Sequence, residues 1–182
     1  FFEYKCKYFI MDTTGIGNTI FDILTTETYD SERDVTYPAW TVCMDEDLQI
    51  VSNTVQNDKV QRTISNNAEE VIVPIVGTAS INTELHLALR KNLREGKIKF
   101  LIDDGDAQVN FESDPYWVTK DTEEKIQLMS PFLQTRFTIN ESVSVEAEIK
   151  DNGNIKTTEG RSATKDLFMA LDYFNYFAEK LS

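Results

Sequence analysis

Apolar and polar residues alternate along this chain in blocks that predict an α/β protein. Lys7-Tyr-Phe-Ile-Met-Asp12 is an apolar run closed by a carboxylate, with Thr13-Thr-Gly-Ile-Gly17 behind it. Ile16, Ile20, Phe21, Ile23 and Leu24 then recur at helical spacing, which reads as buried strand, tight turn and amphipathic helix. Residues 26–70 are polar, with Tyr37, Pro38 and Trp40 as the strong anchors, and predict a long, partly ordered excursion. Val71-Ile-Val-Pro-Ile-Val76 is a short β-branched run between Glu70 and Gly77, the pattern of a buried parallel strand. Pro74 within it lacks an N–H and favours an edge or a bulge.

Leu85, Ala88, Leu89 and Leu93 predict a helix over 82–95 that Gly96 stops, and Lys97-Ile-Lys-Phe-Leu-Ile102 predicts a short strand. A further helix is expected over 122–136, with Ile126, Met129, Leu133 and Phe137 on one face and a kink or break at Pro131. From Ser142 to Lys150, Val143, Val145, Ala147 and Ile149 alternate with polar residues, and Asn152-Gly153 then signals a hairpin. The last helix is expected to start near Thr164 as N-cap, with Leu167, Leu171, Phe174, Ala178 and Leu181 as its apolar stripe.

Composition narrows the class. A chain of 182 residues that is 41% hydrophobic is large enough for a sizeable core, so a single domain over 1–182 is expected. No apolar run reaches the roughly 18 to 20 residues of a membrane span, so no membrane partner is expected. Cys6 and Cys43 lie in no CxxC pattern, which argues against a disulfide framework or a zinc site. The net charge of −13 weighs against tight autonomous binding of nucleic acid, because phosphate affinity comes largely from Lys and Arg.

Two carboxylates stand out by position. Asp12 ends a predicted parallel strand, where open α/β sheets place their binding crevices. Asp166 falls in the first turn of the last helix, about 100° from Leu167 and so at the edge of its apolar stripe. A hard cation such as Mg²⁺ favours oxygen ligands, so both could serve as metal ligands. A turn residue at Asp12 and a residue complementing the helix dipole at Asp166 fit the same positions.

Other signals point nowhere specific. Gly15-Ile-Gly17 lacks the third glycine of a dinucleotide turn, and Asp103-Asp-Gly-Asp106 lacks the ligand order of a calcium loop and reads as a solvated turn. His86 lies on a predicted helix without triad or ligand spacing, and Asp22 and Asp172 read as solvated helix faces. Arg161 and Lys165 could steer a phosphate or be ordinary surface cations.

Tyr8-Phe-Ile-Met-Asp-Thr-Thr-Gly-Ile-Gly17, with Phe21-Asp-Ile-Leu24 after it, resembles the strand-Asp-x-x-Gly-x-Gly element of tailed-phage terminase large-subunit nuclease domains. Val71 to Ile75, Ile81-Asn82 through Gly96-Lys-Ile98, Gln127 to Ile149, and Lys165-Asp166-Leu-Phe-Met-Ala-Leu171 resemble later elements of that family in the same order. The resemblance spans roughly residues 6–178. It implies an RNase H-like mixed sheet flanked by helices, with a C-terminal β-hairpin and a final helix. It also implies a metal-dependent endonuclease that cuts concatemeric double-stranded DNA in a viral packaging motor, using Mg²⁺ or Mn²⁺ held by three acids.

On this resemblance Asp12 matches the second acid and Asp166 the third, as metal-binding catalytic residues. The first acid has no counterpart here and is expected on strands before Phe1. The chain therefore reads as a nuclease domain incomplete at its N-terminal edge, cleaving DNA poorly by itself. The implied partners are DNA, a portal protein, a small terminase subunit and an ATPase domain, in the host cytoplasm. A non-catalytic docking or scaffold module of similar α/β fold is the alternative.

Overall fold

The computed structural model describes residues 5–158 and 164–181. Those residues are α/β: six α-helices, a three-stranded parallel sheet and two antiparallel two-stranded ribbons. They divide into two compact units. The first contains the residues up to Ile81 together with those from Phe177 onward, and the second runs from Asn82 to Tyr176.

In the first unit, β1 (Phe9–Asp12) leads through the Thr13–Gly15 turn into α1 (Ile16–Leu24), as the sequence predicts. The expected polar excursion is more ordered than its composition suggests. It holds a ribbon of β2 (Thr28–Asp30) and β3 (Val35–Tyr37), then β4 (Trp40–Val42), a 3-10 turn at Glu46–Leu48 and α2 (Asn53–Arg62). The central strand β5 (Glu69–Ile75) pairs in parallel with β1 on one side and β4 on the other. Met11, Phe21, Trp40, Val42, Val71 and Ile72 form the core, with Phe9 and Leu24 packed against it.

Pro74 is therefore not on an edge strand, and the ladder explains why it is tolerated. The Cys43 N–H donates to the Ile72 carbonyl at 2.7 Å, and β4 has ended at Val42. Strand alternation turns the position of the missing Pro74 N–H toward Cys43, beyond the end of β4. The side-chain amide of Gln56, buried on α2, donates to the Cys43 carbonyl at 3.2 Å instead.

Two polar ties join α1 to α2. The Lys59 ammonium, buried on α2, donates to the Asn18 side-chain carbonyl and sits 5.2 Å from the centre of the Phe21 ring. Burial pushes the Lys59 ammonium below its ordinary range. The guanidinium of Arg62 grips both carboxylate oxygens of Asp22. Asp22 is thus not the freely solvated residue expected, and the Arg62 hydrogen bond holds its carboxyl below the usual range. Neither α2 nor β4 is legible from apolar periodicity, since the buried residues of α2 are Gln56 and Lys59 and β4 has three residues.

Helix α3 (Ala79–Arg94), in the second unit from Asn82 onward, is stopped by Gly96, whose φ of 67° only glycine adopts freely. Residues 97–102, predicted as a strand, pair with none of the described strands. Asp103-Asp-Gly-Asp106 is not a solvated turn but the start of α4 (Asp104–Glu112), with the Asp103 carboxylate accepting the Gly105 N–H at 2.9 Å. Phe111 stacks on Trp117 at 5.1 Å and meets Phe132 edge-on at 5.8 Å, which joins α4 to α5 (Thr122–Ser144).

Helix α5 starts with a capping box between Asp121 and Glu124 and is assigned as one helix through Pro131, past the predicted break. It also takes in Ser142–Ser144, which alternation placed in a strand. That strand shortens to β6 (Glu146–Ile149), paired with β7 (Ile155–Thr158) around Gly153 at φ 81°, as Asn152-Gly153 predicts. The final helix α6 begins at Asp166 and runs to Lys180.

Candidate functional site

Asp12 is the last residue of β1, in register with Ile75 of β5, at the C-terminal edge of the parallel sheet. Thr13 fixes that edge, because its backbone N–H (2.8 Å) and its hydroxyl (3.1 Å) both donate to the Ile75 carbonyl. The Asp12 carboxylate in turn organises the turn. Its Oδ1 accepts the Thr14 N–H at 2.8 Å and the Thr14 hydroxyl at 2.7 Å. Oδ2 has no hydrogen-bond or ion-pair partner among the described residues, and Asp12 is half-buried. The turn reading and the ligand reading of Asp12 therefore fall on different oxygens of one side chain.

Close packing holds this turn. A Cβ on Gly17 would lie 1.9 Å from the Asp12 carbonyl oxygen, so only glycine fits there. Gly15 has a φ of 53° in open space, a conformational rather than a steric requirement. Both glycines serve the strand-to-helix turn.

Asp166 belongs to the second unit and is exposed in the first turn of α6, with no hydrogen-bond or ion-pair partner among the described residues. The expected N-cap, Thr164, lies two residues before Asp166, the first residue of the helix. Met169 N–H donates to the Lys165 carbonyl at 3.0 Å, and the Thr164 hydroxyl donates to Glu141 Oε2 at 2.8 Å. The capping acceptor is Glu141 from the last turn of α5, whose Oε1 accepts the Phe168 N–H at 2.9 Å. Lys165 donates to the Thr157 carbonyl at 3.4 Å. Arg161 lies outside the described residues.

The buried face of α6 also differs from the predicted stripe. Phe174 is 67% exposed and Leu181 52% exposed, whereas Asp172, Asn175 and Phe177 are buried. Asp172, read from sequence as solvated, accepts from His86 Nδ1 in the interior, and Asn175 accepts from the Asn92 amide at 2.9 Å. Burial pushes the Asp172 carboxyl up, against the hydrogen bond from His86. His86 Nε2 faces the Thr157 hydroxyl at 3.4 Å. The one available sequence signal for His86 was its place beside Leu85 and three residues before Leu89 on the buried face of α3.

Among the described residues no group of three or more His, Cys, Asp or Glu side chains gathers as a metal site. Comparison with protein-family models, with curated proteins and with solved structures found no match to this chain.

Proposed function

We propose that this chain is a metal-dependent endonuclease module of a viral DNA-packaging terminase, with an RNase H-like fold, hydrolysing phosphodiester bonds of double-stranded DNA. The observation that carries the reading is Asp12 at the C-terminal edge of a parallel sheet, its Oδ1 spent on the turn and its Oδ2 without a partner among the described residues. Parallel sheets bind ligands at that edge, and a single carboxylate oxygen suits Mg²⁺ or Mn²⁺, which keep several waters. Asp166, exposed at a helix N-terminus, is the second ligand on this reading. A divalent ion bound there would supply activation of water and stabilisation of the leaving 3′ oxygen. The chain's own contribution is to fix Asp12 through Thr13 and Gly17.

Mn²⁺ titration of the chain, followed by paramagnetic broadening of amide resonances, tests the proposal. Broadening is expected at Thr13–Gly17 and at Asp166–Phe168, reduced at the first by Asp12→Asn and at the second by Asp166→Asn. Broadening at neither segment, or broadening that survives both substitutions, would sink the metal-ligand reading. That result would favour a non-catalytic docking or scaffold module.

A further inference from the structure

The second unit holds a cavity of about 310 Å³, bounded by α3, the end of α5, the β6–β7 hairpin and the start of α6. Helix α3 presents His86, Leu89, Arg90, Leu93 and Arg94 to it, positions i, i+3, i+4, i+7 and i+8 of one face. Leu89, Leu93, Val145, Ile155 and Phe168 make its walls apolar, and among the described residues no acidic side chain lines it. Its size matches the lower end of the range for small-molecule sites, roughly 300–1,000 Å³.

The polar groups divide into two sets. His86 and Thr157 face each other at 3.4 Å, and His86 is held from behind by Asp172, so these groups partner one another. Arg90 and Arg94 are exposed, one helical turn apart, and neither makes an ion pair among the described residues. In a chain with 31 acidic residues against 18 Lys and Arg, two arginines beside an apolar cavity, with no acidic partner or acidic lining among the described residues, are a local reversal of charge. His86 is already partnered by Asp172 and Thr157 at that end, which leaves the head group to the arginine side.

We infer that this cavity binds a small organic carboxylate with an apolar body, its carboxylate at Arg90 and Arg94 and its hydrocarbon among Leu89, Leu93, Ile155 and Phe168. The guanidinium pair supplies charge-assisted hydrogen bonds, and burial of the hydrocarbon supplies the remaining affinity. The inference is independent of the nuclease reading, because neither Asp12 nor Asp166 lines the cavity.

Amide and imidazole NMR titrations with octanoate below its micelle concentration, and with 1-octanol as the neutral equivalent, provide the test. Octanoate is expected to shift Thr157, Phe168 and the His86 ring saturably, and to bind about tenfold more tightly than octanol. The surface double variant Arg90→Gln/Arg94→Gln is expected to remove that preference while leaving octanol binding intact. Ala147→Trp, at an exposed strand position lining the cavity, is expected to block both ligands with the hairpin resonances preserved. No saturable shift with octanoate, or equal affinity for the two ligands in the wild-type chain, would overturn the inference.

Discussion

Glu141 and Phe168 are 27 residues apart, yet the carboxylate of the first accepts the backbone N–H of the second at 2.9 Å. One helix thus supplies the cap of another, and the other Glu141 oxygen holds the Thr164 hydroxyl. Helix starts leave N–H groups without intrahelical partners, and a side-chain acceptor there contributes about 1 kcal/mol. Glu141→Ala is expected to destabilise the chain by about 1–3 kcal/mol, since it removes the cap and leaves the Phe168 N–H half-buried and unsatisfied. Glu141→Gln, which keeps an acceptor, should recover most of that in urea denaturation. Equal losses for the two variants would show that the cap matters little.

Gln56 and Pro74 make a coupled pair. Gln56→Leu orphans the Cys43 carbonyl and is expected to cost about 1–3 kcal/mol. In a Pro74→Val background a backbone N–H faces the same carbonyl, so Gln56→Leu should cost less there. A double-mutant cycle on urea midpoints measures this coupling, and additive costs would contradict the substitution of side chain for backbone donor.

Gly17→Ala is expected to destabilise by about 3 kcal/mol or more, because its Cβ would collide with the backbone of Asp12. Gly15→Asn should also be destabilising, through its backbone conformation (φ 53°, ψ −120°) and not through collision, because its surroundings are open. Thermal unfolding of the two variants side by side gives the comparison. A mild Gly17→Ala would show that the turn can open without loss.

The buried Asp172 carboxyl has a signed pH signature. Its folded pKa is raised above the ordinary 3.8, so the folded state holds the proton more tightly than the unfolded chain. The stability from this residue is full below about pH 3.8 and is lost as pH rises through the raised value. Asp172→Asn keeps an acceptor for His86 Nδ1 and removes this dependence. Its urea midpoint should therefore gain on that of the wild type as pH climbs from 3.8, whereas a constant offset across that range would refute the assignment.

The two thiols should react differently. Cys6 is exposed, whereas Cys43 is buried at the end of β4 and burial pushes its thiol up. Reactivity follows the exposed thiolate, so a thiol reagent should label Cys6 quickly and Cys43 only on denaturation. Quantifying fast and denaturant-dependent thiols on the Cys6→Ser variant checks this directly.

The sequence by itself determined the elements whose signals are local. The strand-turn-helix from Phe9 to Leu24 follows from an apolar run, a carboxylate and two glycines. Helix α3 and its Gly96 stop follow from 3.6-residue spacing, and the Asn152-Gly153 hairpin from turn chemistry. Both proposed ligand residues stand at the strand end and helix start that the sequence assigned them.

Tertiary structure decided what depends on partners distant in the chain. Residues 97–102 carry strand-like alternation but find no pairing strand, and Ser142–Ser144 join α5 because that helix continues through them. Asp172, Gln56 and Lys59 look like surface residues by type, yet each is buried because one partner, His86, Cys43 or Asn18, meets its polar group. Periodicity registers hydrophobicity along the chain. A polar residue buried by a single long-range hydrogen bond leaves no periodic trace, so the face that α6 turns inward became legible only in three dimensions.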